Sequence, residues 1–372
     1  MKNYRRRLHK IPETSYKEFK TRDFLVEELQ SMGYSPKKLA QTGLYLFIDN
    51  EKEKTIAMRT DMDALQITEQ NNIDFKSEYE GFMHACGHDG HMSMMLGLCR
   101  YLKNNKLDLQ SNVLIIFQPA EEFSGGALPI CETGIFEKYN TQAIFASHIF
   151  PYFDEGTIAI KSGFALAKTG KLTITINGKS SHGEEPQMGI DAIDISATFI
   201  KMVQSIVARE ISPLDEGVVT IGTMNCGSTQ NTIAEKCTMK GTIRAFDENV
   251  YDTLIEKINK ILKGLKVTYG ITYKINHLPL YPPVYNDPSL CDQITEILAD
   301  DVNIKNLDKG FMVTDDFSYY QKRVKGVIFF LGSRNKEKGF IYPLHNSKFN
   351  FDEKILNIGL DAYISILKNI KI

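Results

Sequence analysis

The feature that most constrains the fold is a set of apolar segments that alternate with helical segments. VLIIFQ (113–118) and AIFASHI (143–149) are nearly continuous apolar runs, typical of strands that are covered on both faces. LYLFID (44–49) and TIAMR (55–59) indicate two further strands, and HMSMMLGLCRYL (91–102) indicates a buried helix. Because strands alternate with helices, we predict an α/β layer fold with a mostly parallel sheet.

The ends of the chain carry the same α/β character. A helix is predicted over 15–32, where Ser15 and Glu18 match a capping box and Gly33 marks the end. Beyond a proline-rich connector, the pattern predicts a helix, a strand and a last helix, at 289–299, 326–332 and 352–369.

The pattern changes near residue 170. KLTITIN alternates strictly between polar and apolar residues, as a half-exposed strand does. The following elements are predicted as strand, helix, strand, strand, helix and strand, at 171–177, 189–209, 218–224, 237–245, 249–263 and 266–275. This β-α-β-β-α-β order predicts a ferredoxin-like α+β domain, 168–277, inserted into a catalytic α/β domain made of 1–167 and 278–372.

Composition excludes several classes of function. The 372 residues carry 44 basic and 46 acidic side chains, a net charge of −2, so neither nucleic acid nor a membrane surface is an expected partner. No apolar run approaches the roughly 18 residues of a membrane span, and the N-terminus lacks the apolar region of a signal peptide. The six cysteines form no C-x-x-C pair, which predicts free thiols in a reducing cytoplasm.

Residues suited to metal binding cluster in MHACGHDGH (83–91). Cys86 and His88 offer a thiolate and an imidazole, which are good ligands for zinc and other late first-row divalent ions. The alternative is a polar loop with a buried cysteine and helix-capping histidines. Glu121 and Glu122 follow a buried strand, where α/β folds place ligands, so one carboxylate can bind metal while the other faces substrate. A solvated acidic turn is the alternative for this pair.

Three further groups follow predicted strands. Asp61 and Asp63 come directly after the strand at 55–59, where an aspartate can orient a metal-bound histidine, or where both form an Asx-type turn. His148 ends one strand and His345 follows the last. A lone histidine is more often structural, but metal-competent groups at several strand ends in one domain strengthen each other. His182 lies in the inserted domain and cannot be placed near the others from the sequence.

The motifs together resemble the metal-dependent amidohydrolases of the aminoacylase type, a family that includes hippurate hydrolases and auxin-conjugate hydrolases. The resemblance rests on RRxLHxxPE (ending at Glu13), RTDMDAL, MHACGHDGH, FQPAEE, His148, GTIR (241–244), DDFSYY (315–320) and LH (344–345). IAIKSG, SPLDEGVVTIGT, STQNTIAE and YPPVYN resemble the N-acetyldiaminopimelate deacetylase branch of that family. The motifs cover nearly the whole chain in the family's order.

The resemblance implies a role for each matching residue. Glu121 matches the general base and Asp61 the catalytic aspartate. His182 matches a histidine that reaches the active site of a neighbouring subunit, which implies a homodimer or homo-oligomer paired through the inserted dimerisation or lid domain. Asn231 and Arg244 match residues that line the substrate pocket. The implied metal ligands are Cys86, His88, Glu122, His148 and His345.

The resemblance implies a cytoplasmic enzyme that removes the acetyl group from an N-acetylated amino acid. Five ligands are enough for two divalent metal ions, which could be zinc, manganese, cobalt or nickel. The predicted substrate is N-acetyl-LL-diaminopimelate, a small molecule of lysine biosynthesis. The alternatives are a broad-specificity aminoacylase or hippurate-type hydrolase and, outside the enzymes, a catalytically silent protein that binds metal or amino acids.

Overall fold

In the computed structural model, which describes residues 1–105, 107–123 and 125–372, strands and helices alternate along most of the chain. The helices are α1 (Lys2–Lys10), α2 (Phe19–Ser31), α3 (His88–Asn104), α4 (Ala127–Glu132), α5 (Ile135–Lys138), α6 (Ala192–Arg209), α7 (Glu248–Tyr269), α8 (Pro288–Leu298), α9 (Ser318–Gln321) and α10 (Ile355–Asn369). The strands are β1 (Lys37–Leu39), β2 (Gly43–Ile48), β3 (Thr55–Asp61), β4 (Asn112–Gln118), β5 (Thr141–Asp154), β6 (Thr157–Ile160), β7 (Gly163–Leu166), β8 (Lys168–Asn177), β9 (Gly217–Cys226), β10 (Lys236–Ala245), β11 (Thr272–Pro279), β12 (Val284–Asn286), β13 (Asn303–Asn306) and β14 (Lys325–Arg334).

An eight-stranded sheet organises the larger part of the chain. Its strand order is β1-β2-β4-β3-β5-β14-β6-β13, and its centre, β4-β3-β5-β14, is parallel throughout. Every residue of β3 and β4 is buried, because helices cover both faces of a parallel sheet. The predicted fold class, an α/β domain with a mostly parallel sheet, is confirmed.

The chain divides into two compact units. The first comprises Met1–Gly163, Tyr285–Lys309 and Asp316–Ile372, and the second comprises Phe164–Val284 and Gly310–Asp315. The second unit contains a four-stranded antiparallel sheet in the order β11-β8-β10-β9, against which α6 and α7 pack. This is the β-α-β-β-α-β arrangement that the sequence predicts, and it has a hydrophobic core of its own.

Two local predictions are wrong. Helix α2 begins at Phe19 rather than at 15, and Ser15 and Glu18 form no capping box because their side chains bind distant partners instead. Helix α7 continues to Tyr269 and ends at Gly270, whose φ of +72° is left-handed, so the strand predicted from 266 begins only at Thr272. The β-branched residues before Gly270 favoured a strand locally, but the buried face of α7 decides otherwise.

The prediction of six free thiols is wrong for one pair. Cys226 and Cys237 form a disulfide, with Cα atoms 4.1 Å apart. They lie opposite each other in the antiparallel strands β9 and β10, a register that spacing along the chain does not reveal. The other cysteines are free and buried: Cys86, Cys99, Cys131 and Cys291. Among the described residues, no helix combines the length and the apolar character needed to span a bilayer.

Helix α1, which the sequence analysis did not predict, is held by buried charges. His9 Nδ1 lies 2.9 Å from Asp89 Oδ2 and its Nε2 lies 3.2 Å from Glu69 Oε1. Arg5 Nε donates to the same Asp89 oxygen at 3.2 Å, and its guanidinium stacks on Phe351. Burial alone would lower the pKa of His9, but the two carboxylates outweigh it and raise that pKa to about 8.

This raised pKa predicts a stability that depends on pH. A histidine with a folded pKa of about 8 and an unfolded pKa of 6.5 stabilises the fold fully below pH 6.5, and the contribution is lost as the pH rises through 8. It amounts to about 2 kcal/mol. Urea unfolding of the metal-free protein between pH 6 and 9 should therefore show a steeper loss of stability for wild type than for His9→Gln.

The matched control is His277→Gln. His277 lies in the second unit, and burial lowers its pKa, so its removal should leave the slope between pH 7 and 9 unchanged. Equal slopes for wild type and His9→Gln would contradict the charge assignment.

Candidate metal centre

The site forms where strand β3 and helix α3 meet. Asp61 ends β3, and His88 begins α3. Gly87 has a φ of +87°, and this left-handed residue lets the chain turn sharply between Cys86 and His88. Both side chains are buried, and their ligand atoms lie within 4.8 Å of each other.

Hydrogen bonds fix the orientation of two histidines in this space. His88 Nδ1 donates to the backbone carbonyl of Asp63 at 2.8 Å, and His148 Nδ1 donates to that of Ile149 at 2.8 Å. In the neutral form of each ring, Nε2 therefore carries the lone pair. His148 Nε2 faces Cys86 Sγ at 3.5 Å, while His88 Nε2 is buried and has no hydrogen-bond partner within the described part of the chain. Fixing one ring nitrogen is how proteins prepare the other for a metal ion.

The two adjacent glutamates lie in a turn after strand β4. The Asp63 carboxylate accepts the backbone N–H of Glu121 at 3.1 Å and that of Glu122 at 3.0 Å. Gly126 closes this turn against Pro119, where a Cβ atom would lie 1.9 Å from the Pro119 carbonyl oxygen. The turn is therefore held from both sides, and only glycine fits at 126.

The five predicted ligands come together in the first unit. Glu122 Oε1 lies 3.3 Å from His345 Nε2 and 3.8 Å from His88 Nε2. Three overlapping groups each place their ligand atoms within 4.8 Å of one another: Cys86, His88 and His148; Cys86, Glu122 and His345; and His88, Glu121 and Glu122. The sequence prediction placed these residues at strand ends, and the structure brings them to one place.

The electrostatics of this space suit a cation. Burial lowers the pKa of His88, but the carboxylates of Asp61, Asp63 and Glu122 outweigh it and raise that pKa to about 10. Burial and the nearby glutamates raise the pKa of Cys86 well above its ordinary value. Sulfur, imidazole and carboxylate donors around an orphaned, buried Nε2 fit late first-row divalent ions. The residues present therefore fit the predicted metal site.

Asp61 lies beside the ligands but holds a different histidine. Its Oδ1 accepts from His91 Nδ1 at 2.7 Å, and His91 Nε2 accepts the Ile149 N–H at 2.8 Å. Both nitrogens of His91 are thus used, which makes it a support and not a ligand. Arg59 donates to Asp61 Oδ2 at 2.8 Å. The sequence analysis named both aspartates as candidates to orient a metal-bound histidine, and the backbone carbonyl of Asp63 makes that contact with His88, a distinction that their spacing does not reveal.

Three predicted residues lie in the second unit. His182 and Asn231 are exposed, and they are neighbours because the Gly183 N–H donates to the Asn231 carbonyl at 2.8 Å. Arg244 is half-buried, and its guanidinium donates to the Met312 carbonyl. Burial lowers the pKa of Arg244.

Comparison with known proteins identifies the family. The model of peptidase family M20/M25/M40 matches residues 57–369, and the chain belongs to that family. It is thus a hydrolase, and the predicted kinship with metal-dependent amidohydrolases is confirmed.

The relatives span more than one activity. An N-acetyldiaminopimelate deacetylase of Bacillus subtilis is 35% identical over 98% of this chain and 98% of its own. Thermostable carboxypeptidase 2 of Saccharolobus solfataricus is 35% identical over 96% of this chain and 92% of its own. A solved structure from Bacillus subtilis, a dinuclear metal-binding peptidase of the M20 family, superposes with a TM-score of 0.85 at 28% identity, covering 99% of this chain and 98% of that one.

Substitution of Glu121 and substitution of Glu122 should have different effects on turnover and on bound metal. Glu121→Gln keeps the shape but cannot accept a proton, so we expect turnover to fall by about 10²-fold or more while bound metal stays near wild type. Glu122→Gln should instead lose metal, because it removes a charged ligand. Metal analysis after dialysis, together with initial rates, measures both. A metal-depleted Glu121→Gln beside a metal-loaded Glu122→Gln would reverse the assignment.

Proposed function

We propose that the protein hydrolyses the amide bond of an N-acetylated amino acid at a centre of two divalent metal ions. The observation that carries the proposal is the pair Glu121 and Glu122, which are adjacent in sequence and lie at the same cluster of donor atoms, the first buried and the second half-buried. Glu122 is within reach of two candidate ligands, His88 and His345, whereas a site that only bound metal would not need a second carboxylate at 121.

The proposed ligands are those that the resemblance implies, Cys86, His88, Glu122, His148 and His345. Divalent ions held there supply Lewis acidity, which polarises the scissile carbonyl and acidifies water. Glu121 accepts the proton of the attacking water and delivers it to the leaving amine. Asp63 holds the backbone of both glutamates, so the base is fixed before substrate arrives.

We assign the substrate as N-acetyl-LL-diaminopimelate, converted to LL-diaminopimelate and acetate in lysine biosynthesis in the cytoplasm. Support comes from the deacetylases that match this chain almost from end to end. Asn231 and Arg244 supply polar and cationic groups for a substrate with charged ends. Carboxypeptidases match at the same level of identity, so peptides are the competing substrates.

A substrate panel tests this assignment. Among N-acetyl-LL-diaminopimelate, other N-acetyl amino acids, benzoyl-glycine and dipeptides, the first should give the highest kcat/KM, because both of its ends carry charge. Each assay is repeated with Glu121→Gln, which should lose about 10²-fold on every substrate if the same centre does the work. A preference for benzoyl-glycine would favour the hippurate-type alternative, and a preference for dipeptides would favour a peptidase.

His182 is proposed to complete the active site of a partner subunit in a two-fold dimer. Homodimers of Glu121→Ala and of His182→Ala should each be nearly inactive. In a mixed dimer one site then carries both changes and the other carries neither. With random exchange half of the dimers are mixed, so about a quarter of wild-type activity should return by symmetry. No recovery despite proven exchange would show that His182 acts within its own chain.

A further inference from the structure

Glu18 is a buried acid that its own helix does not use. It precedes α2 and is fully buried, yet its side chain makes no capping bond to that helix. One oxygen accepts the Thr42 hydroxyl at 2.6 Å, and the other accepts the backbone N–H of Ala120 at 2.9 Å. The carboxyl therefore joins the start of α2 to the residue that directly precedes the paired glutamates.

Ala120 has an unusual backbone conformation. Its φ is +58°, in the left-handed region that a residue with a Cβ atom adopts only at a cost. The three successive N–H groups of Ala120, Glu121 and Glu122 all point at buried carboxylates, the first at Glu18 and the other two at Asp63. The Ala120 carbonyl also accepts the Gly125 N–H at 2.8 Å, so both backbone polar groups of Ala120 are hydrogen-bonded in this conformation.

We propose that Glu18 is a positioning residue that holds Ala120 in its left-handed conformation and thereby aims Glu121 and Glu122 at the metal centre. The inference rests on the proposed function, which gives Glu121 and Glu122 their roles as base and metal ligand. Without the Glu18 carboxylate, the Ala120 N–H is buried without its acceptor. The backbone then lowers its free energy by leaving the left-handed region. The two glutamates are the next residues along, so their carboxylates move with it.

Zinc binding provides a test that needs no substrate. Metal-free protein is titrated with Zn²⁺ in competition with a chromophoric chelator. Glu18→Ala should bind Zn²⁺ about 10- to 100-fold more weakly, the range for loss of a group that orients a ligand. Glu18→Gln should stay near wild type, because its amide oxygen can accept from Ala120 while its amide nitrogen donates to the Thr42 oxygen.

A second substitution isolates the mechanism. Glycine adopts φ near +58° without the Cβ penalty, so Glu18→Ala/Ala120→Gly should recover about fivefold or more of the lost affinity. The matched control is Glu51→Gly, since Glu51 also has a φ of +58° but lies in an exposed turn. In the Glu18→Ala background it should recover nothing.

The outcomes separate positioning from general support. Wild-type Zn²⁺ affinity in folded Glu18→Ala would overturn the inference, as would equal recovery by Ala120→Gly and Glu51→Gly. If Glu18→Ala does not fold, Glu18→Asp replaces it, because its shortened side chain cannot reach both partners. In active protein, kcat should fall more than KM changes. If no amide is hydrolysed, the proposed function fails, but the pattern of Zn²⁺ affinities still decides the role of Glu18.

Discussion

The rest of the site depends on the hydrogen bonds that Asp63 makes. The Asp63 carboxylate accepts the Ser15 hydroxyl at 2.7 Å and the backbone N–H groups of Glu121 and Glu122, while its own backbone carbonyl orients His88. Four segments of the chain, distant in sequence, thus meet at one residue just beyond strand β3. A buried carboxylate is costly unless it is fully hydrogen-bonded, and here two of the bonds that satisfy it hold the backbone of the candidate base and of one candidate ligand.

Arginines pair with the acids behind the centre, and at the centre itself carboxylates face a histidine. Arg59 donates to Asp61, Asp316 and Gln118, so both acids behind the site have a cationic partner. Arg5 does the same for Asp89 on the side of α1. At the centre itself the carboxylates of Asp61, Asp63 and Glu122 face His88 and raise its pKa to about 10, so positive charge is favoured there. The protein therefore favours positive charge at one point, as a divalent-ion site requires.

Features that lie within one short segment can be predicted from the sequence, but contacts that depend on how distant segments align cannot. Cys86 and His88 are two residues apart on a sharp turn, and Glu121 and Glu122 follow an apolar strand, so both pairs can be predicted from short segments. The alternation of apolar runs likewise predicts both units of the fold. Which of Asp61 and Asp63 holds His88, however, depends on how β3 ends against α3. The same limit explains Ser15 and Glu18, which match a capping box locally but bond across the fold.

The larger unit is discontinuous, and this has a consequence for how the chain reaches its native state. β14 pairs in parallel with β5 at the centre of the sheet, but the whole second unit is synthesised between them. During synthesis β5 emerges long before β14, so the edge of β5 that β14 covers in the native sheet has no partner strand at that stage. The second unit is nearly continuous and can fold meanwhile. Nascent chains are thus most prone to aggregate in this interval, and His345 reaches the centre only after β14 has been made.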